Sequence, residues 1–216
     1  IEPGVGFIRV NKFTNDSYEE FMQNLERLKK EGMAKLILDL RDNGGGMLDD
    51  AIQMADEFLS DAKEIVYTEG KASPRQVFTA RRPGMFEEGK VVVLIDEGSA
   101  SASEVLTGAL QDWDRGTIVG RRSFGKGLVQ EQFQLSDGSA LRLTISRYFT
   151  PIGRSIQKPY SRGATEDYNE EIMNRFNNGA MFRNDSANHT GRTYKTKGGR
   201  NVYGGGGISP DVFVPA

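Results

Sequence analysis

Apolar residues recur along this chain in two periods. From Gly4 to Val10 they alternate with polar ones, as in a half-buried strand. A helix is predicted next. Ser17-Tyr-Glu-Glu20 has the form of a capping box, Phe21, Leu25 and Leu28 recur at helical spacing, and Gly32 stops the run. Lys35 to Leu40 is a short apolar stretch of the kind buried on both faces of a sheet, and it ends in the loop Arg41-Asp-Asn-Gly-Gly-Gly46. Leu48, Ala51, Ile52, Ala55, Phe58 and Leu59 then share one face of a second helix. This strand, turn and helix unit recurs once: Val91–Ile95 is the strand, a serine-rich loop follows, and Val105, Leu106, Ala109, Leu110 and Trp113 form the helical stripe. Further strands are predicted at Thr117–Val119, Leu128–Leu135 and Ala140–Phe149, with Asp137-Gly138 as a hairpin turn. The predicted class is α/β.

From about Gln157 to Gly207 the pattern gives way to Asn, Gly and charge. One helix is predicted inside this stretch, because Tyr168, Ile172 and Phe176 are spaced by four and Gly179 can end it. Ile208–Val214 reads as a last short strand returning to the core. No hinge divides the chain, so a single domain over 1–216 is expected, with a polar insertion at about 157–207.

Charge and composition narrow the function. The 28 basic and 30 acidic residues are well mixed and the net charge is −2, which gives no electrostatic footprint for nucleic acid or an anionic membrane. No apolar run is long enough to span a bilayer, and residues 1–30 lack the pattern of a signal sequence. The chain opens on Ile1-Glu-Pro3 without an initiator Met and is expected to be a fragment or processed form. The absence of cysteine excludes disulfides, thiolate zinc sites and a cysteine nucleophile. The single histidine, His189, lies in a polar Asn/Gly-rich stretch unlike a catalytic scaffold, so a Ser-His-Asp triad is not supported. A lysine is the next candidate base.

Two motifs carry the candidate chemistry, Gly98-Ser-Ala-Ser-Ala-Ser-Glu104 and Gly125-Lys126-Gly127-Leu-Val-Gln130. Of Ser99, Ser101 and Ser103, Ser101 is best placed, at a helix entry beside free backbone N–H groups and the positive end of the helix dipole. The same Ser101-Ala-Ser-Glu104 is also a capping box, whose ordinary role is only to start a helix. Lys126 between glycines does not belong to a solvated helix face, although an exposed lysine in a tight turn is the plain alternative. Gly120 to Lys126 imitates a phosphate-binding loop but fails it, because Gly127 stands where Ser or Thr would hold magnesium and a strand-like run follows. The glycines of Asp39–Gly46 can turn N–H groups toward an oxyanion, or can simply make a tight turn. Asp39, Asp42, Asp96 and Glu97 read as structural or solvated, with no metal-ligand spacing.

Together these segments resemble the carboxyl-terminal processing peptidases, also called tail-specific proteases, a serine peptidase family with a Ser-Lys dyad. The resemblance rests on the Leu-Asp-Leu-Arg-x-Asn-x-Gly-Gly loop ending at Gly46, the Ser101–Glu104 segment, Gly125–Gln130, Thr150-Pro-x-Gly-Arg154 and the Gly-Ile-x-Pro-Asp strand starting at Gly207. It implies that Ser101 is the nucleophile, Lys126 the general base and Gln130 the residue orienting the lysine. The backbone N–H groups of Ala102 and of a loop glycine, Gly45 ahead of Gly46, would form the oxyanion hole, with Glu104 supporting the dyad. It also implies a crotonase/Clp-protease-like spiral of β-β-α units, no metal or organic cofactor, and protein substrates with free C-termini. A PDZ domain in the parent chain and a place in the cell envelope or periplasm are implied as well. The insertion departs from the family pattern. Two other readings are a catalytically inactive peptide-binding or scaffold relative, and a crotonase-type acyl-CoA enzyme.

Overall fold

The computed structural model describes residues 2–160, 165–183 and 191–216. In chain order the first half contains β1 (Val5–Arg9), α1 (Ser17–Lys30), β2 (Lys35–Asp39), α2 (Leu48–Asp56), β3 (Glu64–Glu69), β4 (Gln76–Thr79), β5 (Lys90–Ile95) and α3 (Ala102–Asp112). The second half contains β6 (Gly116–Gly120), β7 (Leu128–Gln134), β8 (Ala140–Phe149), α4 (Thr165–Asn177), β9 (Thr193–Lys195), β10 (Asn201–Tyr203) and β11 (Val212–Phe213). The architecture is α/β, as the alternation of apolar runs predicts.

The central sheet is parallel throughout, in the order β1-β2-β5-β6-β11. Its inner strands carry continuous aliphatic runs because both faces are covered; Leu36, Leu38, Val91, Val93, Ile95 and Ile118 are all buried. Parallel pairing sends all strand C-termini to one edge. The loops after β2, β5 and β6 therefore lie side by side, since β5 sits between the other two. An antiparallel sheet, β4-β3-β8-β7, packs its β3 against α2 and α3, and a two-stranded ribbon pairs β9 with β10. α3 lies between the layers with every residue buried, its polar Thr107, Gln111 and Asp112 included.

Several expectations are corrected. Ser17 is not an N-cap: Asp16 occupies that position without a side-chain bond, and the Ser17 hydroxyl instead donates to Lys12 O and accepts from Thr14 N–H. The last strand shrinks to Val212–Phe213, paired with Val119 and Gly120, and its flanks are tied to β6 by Asp211 N–H to Ile118 O and Val214 N–H to Gly120 O. β3, β4, β9 and β10 were not predicted; of these only β3 carries a readable signal, the β-branched and aromatic run Ile65-Val-Tyr-Thr68 before Gly70. The helix expected near Tyr168 is α4, although the Tyr168 side chain and His189 lie outside the described residues.

The two ends of the 157–207 segment are drawn together into a neck. Gly205 N–H donates to Ser155 O, Gly207 N–H to Ile156 O, and Lys158 N–H to Gly125 O.

At the end of β2, Asp39 is fully buried and its carboxylate takes the Arg41 guanidinium at 2.9 and 2.8 Å and the Arg41 N–H at 3.1 Å. Burial alone would raise the Asp39 carboxyl, but the Arg41 bonds and charge hold it below the usual range. A depressed carboxyl stabilises the fold above its unfolded ionisation, near about 3.9, and that contribution is lost as pH falls through the folded value. Arg41→Ala should therefore lower the thermal midpoint at pH 7, with the difference from wild type closing below about pH 4. Parallel melts across that range test it.

Candidate active site

The serine loop after β5 ends at the entry to α3, and the backbone there is strained. Ser101 has φ 58° and ψ −115°, a region that non-glycine residues seldom occupy, at a cost of about 1–3 kcal/mol. The three candidate serines are now distinct. Ser99 is fully buried and donates to Leu40 O at 2.8 Å, while Ser103 is fully buried and donates to Asn43 O at 2.8 Å. Both hydroxyls are used to dock the serine loop onto the glycine loop. Ser101 keeps some exposure, 9 %, and its hydroxyl faces that of Tyr148 on β8. Burial pushes the Tyr148 phenol up, and the adjacent Ser101 hydroxyl draws it partly back.

Glu104 joins the parts. It is fully buried, and its two oxygens accept four bonds: Ser101 N–H at 2.9 Å, Ser123 Oγ at 2.5 Å, Gly125 N–H at 2.7 Å and Lys126 N–H at 2.8 Å. The capping box predicted at Ser101–Glu104 is present. The same carboxylate also fastens the lysine loop to the serine loop. Burial raises the Glu104 carboxyl, while these donors oppose the shift.

The glycine loop closes against Ser101. A Cβ on Gly45, whose φ is +92°, would meet Ala100 O at 2.6 Å, Ser101 Cβ at 2.7 Å and Ala102 N at 2.9 Å. Gly46, at φ +145°, leaves no room beside Phe13 O. Asn43 organises this loop from a fully buried position: its Nδ2 donates to Val10 O, its Oδ1 accepts from Gly45 N–H at 2.9 Å, and its carbonyl accepts from Ala100 N–H. The Gly45 N–H is thereby engaged. Among the described residues, the N–H groups of Ala102 and Gly46 have no protein acceptor.

Lys126 and Gln130 line a cavity of about 910 Å³ together with Phe124, Leu128, Arg147 and Lys158. Ser101 does not line it, and among the described residues Lys126 Nζ makes no hydrogen bond to Ser101 or Gln130. Gln130 is exposed on β7. Lys158, buried beside the same cavity, lies over the Phe124 ring and 3.5 Å from Glu171; desolvation lowers its ammonium ionisation. The candidate acids are paired locally. Asp39 holds Arg41, Asp96 accepts from the N–H groups of Asp42 and Gly98, and Glu97 holds Arg121 at 2.7 Å. No group of these side chains suited to a metal ion occurs among the described residues.

Sequence reasoning missed Asn43, Tyr148 and Lys158 as individuals. Asn43 had a readable signal, an amide before three glycines at a strand end. Tyr148 and Lys158 had none, because only the antiparallel sheet and the neck bring them to the site.

Two substitutions test this construction. Glu104→Gln is isosteric but turns an amide NH₂ toward donors, so it should cost about 1–3 kcal/mol and lower the melting midpoint by about 2–10 °C. Gly45→Ala should abolish whatever reaction Ser101 performs, because the new methyl displaces Ser101 and Ala102. Differential scanning fluorimetry and a turnover assay read the two effects.

Comparison with known proteins places the chain. The sequence profile of peptidase family S41 matches residues 4–169. A carboxyl-terminal-processing protease of Synechocystis is 42 % identical over 154 residues, which cover 71 % of this chain and 36 % of that one. A CtpA-like serine protease of Staphylococcus aureus is 40 % identical over 155 residues, covering 70 % and 31 %. Among solved structures, the photosystem II D1 C-terminal processing protease superposes with a TM-score of 0.70 at 31 % identity, covering 98 % of this chain and 42 % of that one. The chain spans about a third of the length of the curated relatives it matches. No helix among the described residues is long and apolar enough to cross a membrane. With the profile covering most of its length, the chain belongs to peptidase family S41.

Proposed function

We propose that this chain is the catalytic core of a serine endopeptidase that cleaves proteins near their C-termini, with Ser101 as nucleophile and Lys126 as general base. The observation that carries the reading is the Glu104 carboxylate, which binds the backbone of both residues and so couples the serine loop to the lysine loop. Ser101 is also the one serine of its motif whose hydroxyl is not committed to a backbone carbonyl of the glycine loop or β2.

In this reaction Ser101 Oγ attacks the scissile carbonyl carbon as neutral Lys126 Nζ takes its proton. The tetrahedral oxyanion receives the Ala102 N–H and a glycine N–H. Of the two candidates Gly45 packs against Ser101 but its N–H is engaged by Asn43, whereas the Gly46 N–H has no other acceptor among the described residues. Collapse breaks the C–N bond, and the lysine ammonium returns its proton to the leaving amine. Water, deprotonated by the same lysine, then attacks the acyl carbon; the C–Oγ bond breaks as the ammonium returns its proton to Ser101 Oγ, releasing the carboxylic acid product. Lys126 must swing to Ser101 for this, as apo catalytic bonds commonly tighten only with substrate bound. Gln130, on the same cavity wall, would orient the amine. By the same reading the substrates present free C-termini, a PDZ domain lies elsewhere in the parent chain, and the enzyme works at the cell envelope.

The absent Lys126–Ser101 bond is the one observation favouring an inactive relative, and labelling separates the two. A fluorophosphonate should mark wild type at Ser101 and leave Ser101→Ala unmarked; failure to label wild type would sink the peptidase reading. Lys126→Arg should be as inactive as Lys126→Ala, since guanidinium stays protonated. An arginine variant turning over near the wild-type rate at neutral pH would rule out lysine as the base.

A further inference from the structure

The lysine loop is held from two opposite sides. On its inner side the Ser123 hydroxyl and the N–H groups of Gly125 and Lys126 converge on Glu104. On its outer side the carbonyls of Arg122 and Ser123 accept from Arg175 Nη1 at 3.1 and 2.9 Å. Arg175 belongs to α4, within the insertion, and is 5 % exposed. An anion thus takes two N–H groups of the loop and a cation takes two of its carbonyls, while Ser123 N–H, Phe124 N–H and Gly125 O are bonded to Ile208 O, Ser99 O and Lys158 N–H.

Arg175 is itself positioned. Its Nε donates to Glu171 Oε1 at 2.5 Å, one turn earlier on α4. Glu171 also lies 3.4 Å from Arg122 and 3.5 Å from Lys158, so one carboxylate gathers cations from the lysine loop, the neck and its own helix. Arg122 in turn donates to Gly206 O at 2.9 Å, where the insertion rejoins the core. α4 therefore does more than fill a surface excursion: it touches the backbone three residues before the base.

We infer that Arg175 of the inserted helix is a positioning residue for Lys126, fixing the loop so that the amine can reach Ser101. The inference rests on the assignment of Lys126 as base. It acts through geometry, since Arg175 touches carbonyls and not substrate. A displacement of about 1 Å at a reacting group can lower a rate by about 100-fold.

The test compares Arg175→Ala, Arg175→Lys and Lys126→Ala in the full chain with a small acyl substrate. Arg175→Ala should lower kcat about 10- to 100-fold with KM changed less than about twofold, and guanidinium ion far below denaturing concentrations should restore part of kcat. Arg175→Lys keeps the charge but reaches one carbonyl at a time, so its kcat should fall between those of wild type and Arg175→Ala. Wild-type kcat in Arg175→Ala, beside an inactive Lys126→Ala, would overturn the inference and reduce Arg175 to an anchor for α4. Should Arg175→Ala fail to fold, wild-type kcat in Arg175→Lys overturns it equally. Turnover surviving in Lys126→Ala would remove the base assignment and this inference with it.

Discussion

The interaction on which this site depends is the reception of four hydrogen bonds by the buried Glu104 carboxylate. An isolated buried carboxylate is expensive, and the usual compensation is a cation. Here the compensation is three backbone N–H groups and a hydroxyl. Such a site is chemically demanding, because a protonated acid or a primary amide would bring a donor to a place already supplied with donors. It also spans the gap between two loops that the sheet alone leaves adjacent but unconnected. Ser123 extends the join: its hydroxyl, which donates to Glu104, also accepts Ile208 N–H, tying in the returning C-terminal segment.

Topology explains why those loops meet at all. β2, β5 and β6 are neighbours in a parallel sheet, so the glycine, serine and lysine loops leave from one edge, the usual location of sites in such sheets. The glycine loop and the serine loop then interlock through Asn43, whose carbonyl receives both Ala100 N–H and the Ser103 hydroxyl. The strained dihedrals of Ser101 persist because both flanks are fastened. Ser99 and Ser103 hold them through their hydroxyls, which bond Leu40 O and Asn43 O, whereas Ser101 packs against Gly45 with its hydroxyl on neither carbonyl.

Legibility in the sequence followed the strength of local patterning. β2, β5 and the loops behind them were readable because a continuous aliphatic run that ends in a Gly- or Ser-rich turn suits a strand covered on both faces and little else. α3 was readable by its stripe, but its opposite face was not: Gln111 and Asp112 are polar yet buried, satisfied by Ser209 O and by Arg154 respectively. Tertiary contacts, absent from any window of sequence, supply those partners. Ser17 shows the converse. Its spacing to Glu20 satisfied a capping rule, but the preceding loop offered Lys12 O and Thr14 N–H, and the hydroxyl bonded there instead. The short β9 and β10 carry three residues each, too few for a period to register. At the site, Ser101, Lys126, Glu104 and the glycines were visible as motifs. Arg175 and Lys158 were not, since their relevance depends on where the insertion folds back.

The neck at residues 155–158 and 205–207 has a bearing on how such a chain changes over time. Closing a loop costs free energy that grows only with the logarithm of its length, about 0.6 kcal/mol for each doubling. With both ends pinned by backbone bonds to each other and to Gly125, the segment between them can lengthen, shorten or acquire a helix at small thermodynamic expense to the sheet. Its ends nonetheless emerge beside the lysine loop. New sequence inserted there is delivered to the neighbourhood of Lys126, which makes this neck a port through which a shared peptidase core can gain its own local controls.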